Sequence, residues 1–428
     1  MAPVGIENMN DLSGASLRIQ DEMTSVFHLN LRHVHALTAV HEHGSISAAA
    51  TAVSLSQPAL TQGILKLESQ LEVVLFERRP DGIVPTSAGA LVLERTSASM
   101  GHLTAGCRLI AGADFSPERR LTMTQLRAFL SLSKTCSFAA SAAELGLSQP
   151  AVHRAMRELE DALGRKLIER RTRGVHIPFA GHRFARSCWL AIKELQAALS
   201  ELGLDPRNPV ISIGTTPLAR AFLVPEAMSL MVTEKYPANF RVVEGSWADL
   251  VESLRDGEID LIVGEQPDAG ISDLECTALY TEAPVVVAGR HHHLVGKGNP
   301  SHQTLASYPW IIAPEASPLR VEWEQLLSGI RPQTPVECGS IMIIGRMLSS
   351  SDMLTLALPD QVALQIRSGL LARIGDPLAG SMITVGATKR RSWRPTSAQR
   401  RFLDLLHQAS ESLSETSDRK PMIEAAWV

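Results

Sequence analysis

The feature that most constrains the fold is a segment that occurs twice. Ser-Gln-Pro-Ala stands at 56–59 and again at 148–151, so the two occurrences are offset by 92 positions. At that offset residues 31–89 align without gaps with residues 123–181, and identical or similar residues recur throughout. A match of this length indicates a duplicated domain, while two copies are too few for a solenoid. We call residues 31–89 copy one and residues 123–181 copy two.

Each copy has the pattern of three helices followed by a short hairpin. Apolar residues at helical spacing predict the first helix, and Ser45 and Ser137 are suited to cap an alanine-rich second helix. A third helix follows, with a proline in its first turn, where a missing N–H costs little. A glycine-containing turn between two short apolar runs then predicts a wing, so the order is that of a winged helix-turn-helix. The apolar positions of the first helix are Leu31, Val34, Leu37 and Val40 in copy one and Met123, Leu126, Phe129 and Leu132 in copy two.

These motifs resemble the DNA-binding domain of LysR-type transcriptional regulators. Copy one contains every motif of that domain, whereas copy two departs at its end, where Ile168 and Pro178 replace a phenylalanine and a threonine. An ordinary member of the family carries one such domain, so the second copy is itself a departure. The motifs of copy one are Ser45-Ile46, Ala49-Ala50, Ser56-Gln57-Pro58-Ala59, Leu67-Glu68, Leu75-Phe76-Glu77-Arg78 and Thr86-Ser87-Ala88-Gly89.

Residues 209–410 resemble the effector domain of the same family, which has two lobes and is similar to a periplasmic binding protein. The run Gly257-Glu258-Ile259-Asp260, followed by an apolar strand, carries this resemblance. The predicted fold class is multidomain α + α/β: two winged helix-turn-helix domains with helical linkers, followed by a two-lobed periplasmic-binding-protein-like (type 2) α/β effector domain. The predicted boundaries are a flexible N-terminus at 1–28, winged helix-turn-helix 1 at 29–89, linker helix 1 at 90–120, winged helix-turn-helix 2 at 121–179, linker (dimerisation) helix 2 at 180–208, the effector domain at 209–410 (lobe I 209–286 and 381–410, lobe II 287–380) and a flexible tail at 411–428.

The two copies differ in charge. The chain has a net charge of −4, which argues against a surface that binds polyanions everywhere but not against a local basic patch. Copy one has four Lys and Arg residues against five Asp and Glu residues, and copy two has nine against five, so their net charges are −1 and +4. Because each neutralised phosphate releases counterions, affinity follows local cations, and we expect copy two to dominate DNA binding.

The candidate DNA contacts lie on the third helix and in the wing of each copy. An Arg side chain can read guanine bidentately and a Gln side chain can read adenine, whereas cations in the wing suit phosphates. The candidate residues are Ser56, Gln57, Pro58, Thr61, Gln62, Lys66, Arg78 and Arg79 in copy one, and Ser148, Gln149, Pro150, His153, Arg154, Arg157, Arg170, Arg171 and Arg173 in copy two.

Two copies in one chain allow more than one function. In the leading hypothesis the protein is a ligand-responsive, sequence-specific transcriptional regulator in which tethering lets each subunit touch two segments of a longer operator. In the alternative, the protein binds a small molecule and copy one serves dimerisation and not DNA reading. A solute-binding protein or enzyme derived from the two-lobed fold, and a non-specific DNA-organising protein, are further rivals.

The candidate effector contacts lie where strands of the two lobes end. Ligands of doubly wound sheets bind at the carboxyl ends of strands, and the N–H groups of a helix after Thr215-Thr216 would suit a carboxylate. Glu265 would discourage a second anionic group nearby. The resemblance implies a small-molecule effector, with a sugar or an aromatic acid as the expected class. The candidate residues are Thr215, Thr216, Ser246, Glu265, Ser317 and Asp352.

The two predicted linkers suggest how subunits assemble. Residues 180–203 carry an apolar stripe at helical spacing, and residues 87–112 are compatible with a helix. The resemblance implies that such helices form the dimer interface, so we expect a homodimer or homotetramer; an amphipathic helix packed on its own domain is the alternative. The other expected partners are double-stranded DNA at a promoter or operator, the effector, and RNA polymerase if the protein activates transcription.

The remaining expectations concern compartment and chemistry. The N-terminus has no basic start followed by an apolar run, and no stretch of about 18 apolar residues occurs, so we expect a cytoplasmic protein without a membrane span. No nucleophile motif such as Gly-x-Ser-x-Gly occurs, and we expect neither an enzyme nor a cofactor. The five cysteines are widely spaced and fit no zinc or disulfide framework. His291-His292-His293 is interpreted as a solvated loop, not a metal site, because consecutive strand residues point in opposite directions.

Overall fold

The computed structural model of the protein describes residues 26–80, 82–171, 174–205, 208–266 and 270–417. The chain divides into two compact units, with the boundary between Arg207 and Asn208, and each unit is described by itself. Of the predicted flexible segments at 1–28 and 411–428, residues 1–25 and 418–428 lie outside the described residues, as do Arg173 and the side chain of Arg170.

The first unit contains the same order of elements twice: three helices, a two-stranded antiparallel hairpin and a long helix. Copy one begins with α1 (Leu31–His43), α2 (Ile46–Ala52), α3 (Gln57–Leu71), β1 (Phe76–Arg79) and β2 (Gly82–Pro85), and the long helix is α4 (Ser87–Ala111). After the short α5 (Pro117–Arg120) come α6 (Met123–Thr135), α7 (Phe138–Leu145), α8 (Gln149–Leu163), β3 (Glu169–Arg170), β4 (Val175–His176) and the long α9 (Phe179–Glu201).

The helices begin where the sequence predicts them. The hydroxyl of Ser45 accepts the N–H of Ala48, and that of Ser137 accepts the N–H of Ala140. The two serines therefore cap α2 and α7. Ser56 and Ser148 cap α3 and α8 in the same way, and a proline occupies the first turn of each. The predicted apolar positions of α1 and α6 are all buried, because they form one face of a 3.6-residue helix.

Two glycines in each copy permit close approaches that fix the wing. Gly82 has a positive φ, and an added Cβ would lie 3.0 Å from the carbonyl oxygen of Gly44, whose carbonyl accepts the N–H of Ile83. Gly174 and Cys136 repeat this arrangement in copy two. The wing is therefore held against the turn that follows the first helix, and a residue with a Cβ would push it away. The second glycine of each copy, Gly89 or Gly181, begins the long helix directly against the carbonyl oxygen of Leu75 or Leu167.

The long helices α4 and α9 pack against each other in antiparallel orientation. Near the start of α4 the guanidinium of Arg95 forms buried ion pairs with Glu194 and Glu201 of α9, at 3.1 and 2.8 Å. Towards the end of α4, Gly106 lies so close to α9 that an added Cβ would be 2.4 Å from the Cβ of Ser187. The buried residues of both copies and of both long helices form one hydrophobic core.

The second unit contains two five-stranded sheets. One consists of β5 (Val210–Thr215), β6 (Asn239–Glu244), β7 (Leu261–Glu265), β8 (Leu274–Glu282) and β14 (Ile383–Arg390), in the order β6-β5-β7-β14-β8. The other consists of β9 (Val285–Gly289), β10 (Trp310–Ile312), β11 (Val336–Glu337), β12 (Leu354–Ala357) and β13 (Leu371–Ile374), in the order β11-β10-β12-β9-β13. The helices are α10 (Leu223–Thr233), α11 (Trp247–Arg255), α12 (His302–Ala306), α13 (Pro318–Leu326), α14 (Ile341–Leu348), α15 (Ala363–Arg367) and α16 (Ser397–Ser417).

Parallel strands in each sheet bring several loops to one edge. Strand β5 is parallel to β6 and β7, and β10 is parallel to β11 and β12. The loops that follow β5, β6 and β7 therefore share one edge of the first sheet, and those that follow β10, β11 and β12 share one edge of the second. These edges are where a ligand of such a fold is expected.

Several predicted boundaries differ from the structure, among them that of linker helix 1 at 90–120, because α4 ends at Ala111 and α5 begins at Pro117. Val26 and Phe27, placed in the flexible N-terminus, are buried in the core of the first unit, where their apolar side chains are removed from water. The predicted boundary between lobe I and lobe II, after residue 286, falls inside β9. All residues of this strand of the second sheet are buried. Helix α16 continues to Ser417, beyond the predicted end of the effector domain at 410.

Candidate nucleic-acid interface and effector cleft

The third helix of each copy, α3 or α8, presents polar side chains to solvent, and the exposed face of α3 also includes the apolar Leu65. The serine and proline of the repeated motif mainly build the helix: the hydroxyls of Ser56 and Ser148 accept backbone N–H groups at 3.3 Å. Their glutamine neighbours are exposed at the helix start. The predicted contacts that are exposed on these two helices are Gln57, Pro58, Gln62 and Lys66 on α3, and Gln149, Pro150, Arg154 and Arg157 on α8.

Two predicted contacts are partly occupied by interactions within the protein. The hydroxyl of Thr61 donates to the carbonyl oxygen of Gln57 at 2.9 Å, and Thr61 is half-buried. The ring of His153 stacks on that of Phe138, with ring centroids 3.7 Å apart. These residues occupy equivalent positions in the two copies, so this position contributes to packing in both.

A glutamate near the end of the third helix ties that helix to the wing. The carboxylate of Glu68 accepts the N–H of Leu75 at 2.7 Å, and that of Glu160 accepts the N–H of Leu167 at 2.9 Å. In copy two, Lys166 also pairs with Glu160 at 2.7 Å. The repeated Leu-Glu motif therefore orients the wing relative to the helix, a role that the sequence alone did not reveal.

The wings carry the remaining predicted cations. Arg78 and Arg79 are exposed on β1, and Arg79 lies 3.6 Å from the exposed carboxylate of Glu77. In copy two, Arg171 is exposed directly after β3. The exposed polar face and the exposed wing of each copy belong to one compact domain, an arrangement that suits simultaneous contact with bases and phosphates.

The predicted effector residues Thr215, Thr216 and Glu265 lie together at the edge of the first sheet. Both threonines are buried, and the hydroxyl of Thr216 donates to the carboxylate of Glu265. Gly264 makes this possible, because an added Cβ there would lie 2.3 Å from the hydroxyl oxygen of Thr216. Burial raises the pKa of the Glu265 carboxyl, and the hydrogen bond from Thr216 opposes that shift.

Sequence reasoning missed two side chains that join the edges of the two sheets. The guanidinium of Arg220 pairs with Glu244, at the end of β6, and donates to the carbonyl oxygen of Gly339, just after β11. The side-chain amide of Gln361, after β12, donates to the carbonyl oxygen of Pro217 at 3.0 Å. The cleft between the two sheet edges therefore contains the partly exposed guanidinium of Arg220. The only sign of this group in the sequence is an Arg a few residues after β5, the strand that ends at Thr215.

The other predicted effector residues lie in different environments. Ser246 caps α11, and its hydroxyl hydrogen-bonds Asp249. Ser317 precedes α13 at the edge where β10 ends. Asp352 does not belong to this edge: it precedes β12, and because β12 is parallel to β10 the start of β12 lies at the opposite end of the sheet. The residue that reaches the cleft from β12 is Gln361.

Two further expectations need correction. His292 is buried, with its ring against Tyr308 and one ring nitrogen 3.3 Å from the carbonyl oxygen of Asp352, so the three-histidine segment is not wholly a solvated loop. Leu195 and Leu199 of α9, expected at an interface between subunits, line a small apolar cavity with Val34 and Leu67 of copy one. That part of the stripe is therefore covered within the chain. Within the described residues, no helix is long and apolar enough to cross a membrane.

Comparison with known proteins identifies similar domains along most of the chain. Residues 205–411 match the family model described as "LysR substrate binding domain". The model described as "Bacterial regulatory helix-turn-helix protein, lysR family" matches twice, at residues 31–90 and 123–182. Both matches of the second model coincide with the two copies of the repeat.

Individual relatives support the same similarity. The HTH-type transcriptional regulator GalR of Pseudomonas putida is 31% identical over 373 residues, which cover 84% of this chain and 92% of that protein. The HTH-type transcriptional regulator PcaQ of Agrobacterium fabrum is 29% identical over 306 residues, covering 69% of this chain and 97% of that protein. In fold, the chain is similar to ArgP from Mycobacterium tuberculosis (TM-score 0.55, 16% identity, 67% of this chain and 96% of that one) and to a full-length OxyR variant from Pseudomonas aeruginosa (TM-score 0.53, 20% identity, 68% and 95%).

Proposed function

Because the chain belongs to the LysR family of ligand-responsive, DNA-binding transcriptional regulators, we propose that both copies are winged helix-turn-helix domains and that both contact the operator. The observation that carries this proposal is that both copies expose the polar face of a helix capped in the same way. The Gln and Arg side chains on this face are of the types that read base edges.

The proposed base contacts are the exposed side chains of the third helices, and the proposed phosphate contacts are those of the wings. Gln62 and Arg154 occupy equivalent positions, since they are separated by the repeat offset. An exposed Arg suits guanine and an exposed Gln suits adenine, so the two copies prefer different bases. Arg78, Arg79, Arg170, Arg171 and Arg173 then contribute affinity that is independent of sequence.

A selection experiment tests the DNA part of this proposal. Full-length protein selects duplexes from a random-sequence pool, and the enriched DNA is footprinted with the parent chain, with Gln57→Ala/Gln62→Ala and with Gln149→Ala/Arg154→Ala. Each double variant is expected to lose protection and base preference over a different segment. Ser69→Ala, at the far end of α3, is the matched control and should leave the footprint unchanged. An unchanged footprint with the copy-one variant would leave copy two as the only reader.

For the effector we propose a small carboxylic acid bound between the two sheet edges, with Arg220 as its cation. Arg220 is half-buried and pairs with Glu244 and a carbonyl oxygen, and a ligand carboxylate would replace Glu244 in a bidentate pair. Protonation of Glu265 is favoured by its burial, which reduces its repulsion of an anion. Thr216 holds Glu265 in place, and Ser246 and Ser317 border the cleft.

Thermal shift measurements test the effector part. A panel of aromatic and aliphatic acids is compared with sugars of similar size, and at least one acid is expected to stabilise the full chain. Arg220→Gln should remove that shift and Thr216→Val should reduce it, whereas Arg331→Gln, an exposed Arg on the same unit, should leave it intact. A shift that survives Arg220→Gln would place the ligand elsewhere, and stabilisation by sugars alone would exclude an acid.

A further inference from the structure

The contacts between α4 and α9 have a regularity that the repeat explains. Residues of α4 and α9 that are 92 positions apart are equivalent in the repeat. Gly106 of α4 is thus equivalent to Ala198 of α9, and Arg95 of α4 is equivalent to Ser187 of α9. When the two copies are exchanged, the pair Gly106 and Ser187 therefore corresponds to the pair Ala198 and Arg95. Arg95 indeed bridges Glu194 and Glu201, which lie on either side of Ala198 on one face of α9.

Contacts at positions that correspond when the two copies are exchanged are what a twofold axis produces, as in an isologous dimer. Met100 and Ile192 are equivalent residues, each midway along its helix between the two contact points, and both are buried. The axis therefore passes near them. Leu195 and Leu199 of α9 pack on copy one, and their equivalents Leu103 and Cys107 of α4 are buried as well.

The pairing joins the copies within one folded unit. Buried residues of both copies belong to one core, and the guanidinium of Arg32 in α1 donates to the carbonyl oxygen of Arg119, just before copy two. The absence of a side chain at Gly106 lets the helix backbones approach closely there. The ion pairs of Arg95 fix the register, since shifting either helix would leave buried charges without partners.

From this geometry we infer that a single chain forms an internal pseudo-dimer, which reads two inverted but non-identical half-sites of one operator. The inference rests on the proposed function, in which both copies contact DNA. A twofold axis between the copies relates α3 to α8 and so matches the local twofold axis of a duplex with inverted half-sites. The half-sites differ because Arg154 and Arg157 of α8 stand where α3 has Gln62 and Leu65.

The inferred asymmetry separates this arrangement from an ordinary symmetric dimer. In a symmetric dimer, identical helices from two chains contact both half-sites, and one substitution changes both. In the pseudo-dimer, each substitution changes one half-site only. Because both copies belong to one chain, binding of the second half-site is intramolecular and raises the overall affinity. Loss of one half-site removes that increase in affinity.

The first experiment varies the DNA. Duplexes selected by the full chain are remade with one half-site scrambled, or with one half-site reversed to give a direct repeat at unchanged spacing. Reversal is expected to weaken binding by at least ~10-fold, as much as scrambling does. Arg154→Ala should relax base preference in one half-site and Gln62→Ala in the other.

The outcomes distinguish this inference from the proposed function. A direct repeat bound as tightly as the selected sequence, or either variant relaxing both half-sites equally, would overturn the pseudo-dimer while leaving DNA reading by both copies. A single half-site read only through α8 would also overturn it, together with the proposed role of copy one. Failure of the chain to select any sequence would overturn the proposed function itself.

The second experiment asks whether α4 and α9 pair within one chain. Arg95→Glu and Glu194→Arg/Glu201→Arg each place like charges in the buried site, so each chain alone should bind the selected duplex at least ~10-fold more weakly. The three substitutions combined in one chain restore opposite charges, and binding should recover. An equimolar mixture of the two defective chains should remain weak.

Recovery in the mixture would show that the helices pair between chains and would overturn the inference. A combined chain no better than its parents would do the same, because the register would then not depend on this ion pair. Point variants are used because a deletion that removes copy one together with α4 would expose the apolar face of α9.

Discussion

Copy one and copy two share the residues that build their scaffold and differ in the residues that they expose. Equivalent serines cap equivalent helices, equivalent glutamates accept the N–H that begins the wing, and equivalent glycines allow the close approaches. The exposed positions differ: Gln62 of copy one is equivalent to Arg154 of copy two, and Leu65 is equivalent to Arg157. The duplicated residues are therefore retained for folding, whereas specificity lies in the residues that are not duplicated.

The two copies also solve the same backbone turns with different residues. The turn after the first helix is left-handed at Gly44 in copy one and at Cys136 in copy two, with φ of 63° and 50°. The turn before the third helix is left-handed at Ser54 in copy one and at Gly146 in copy two, with φ of 57° and 63°. A fixed backbone conformation is thus required by the scaffold, and glycine meets it without strain in only one copy at each turn.

The largest expected effect concerns the shared scaffold. Gly89→Ala and Gly181→Ala would each place a Cβ against a backbone carbonyl oxygen, at 1.9 Å from that of Leu75 and 2.5 Å from that of Leu167. Each should lower the free energy of unfolding by about 3 kcal/mol through forced backbone shifts. Urea unfolding followed by far-ultraviolet circular dichroism measures the loss. Gly101→Ala, on the exposed side of α4 with nothing near its Cβ, should instead stabilise; equal destabilisation by this control would remove the packing explanation.

The next effect concerns the surfaces that differ. Arg154→Gln makes the second copy resemble the first and should weaken specific binding by about 1–3 kcal/mol, which is roughly 5- to 150-fold. The reciprocal change, Gln62→Arg, should strengthen binding to a duplex whose copy-one half-site is changed to guanine. Fluorescence anisotropy at constant salt measures both affinities. Equal losses for Arg154→Gln and Gln62→Ala would show that copy two does not dominate.

A smaller effect separates phosphate contacts from base contacts. Arg171→Ala in copy two and Arg79→Ala in copy one each remove an exposed wing cation. Each should weaken binding to all sequences and reduce the slope of log K against log salt by about one. A salt titration of both variants with specific and random duplexes checks this. A normal slope for Arg79→Ala would indicate that the wing of copy one does not touch the backbone.

The smallest effect comes from the left-handed turns. Ser54→Gly and Cys136→Gly introduce the residue that the other copy has at the equivalent position. Each should raise the free energy of unfolding by about 0.5–1 kcal/mol, because relief of left-handed strain exceeds the entropic cost of glycine. The exchanges Gly146→Ser and Gly44→Cys should do the opposite. Urea midpoints at constant m-value provide the measurement, and destabilisation by both glycine variants would contradict the argument.

The local structure, meaning helix caps, helix faces and strand ends, could be predicted from the sequence. The caps at Ser45 and Ser137 and the stripes of α1 and α6 all depend on residues a few positions apart. The strand ends at Thr215 and Glu265 follow from the family resemblance, and the structure has β5 and β7 end at these residues. Short-range hydrogen bonds and helical periodicity determine these features, so a repeat of the residues repeats the structure.

For some residues the packing shows a role different from the one that the sequence suggests. Gly63 weakens α3 when read from the sequence, yet an added Cβ would lie 2.8 Å from the ring of His33, so the glycine is needed for helix packing. Asp352 is predicted to approach the cleft from the second lobe, but it precedes β12, and the parallel register of β12 and β10 puts it at the other end of the sheet. Arg220 reaches the cleft only because the loops after β5 and β11 meet there.

The sequence by itself determined the two copies, their helices and wings, and the family resemblance, because these follow from residue type and spacing along the chain. Only the tertiary structure decided what α9 packs against. An apolar stripe such as Leu195 and Leu199 is satisfied equally by a second subunit or by the same chain, and the hydrophobic effect that buries it has no direction. The choice is made by distant partners: Arg95 matches Glu194 and Glu201, and Gly106 admits Ser187, only when α4 lies antiparallel to α9.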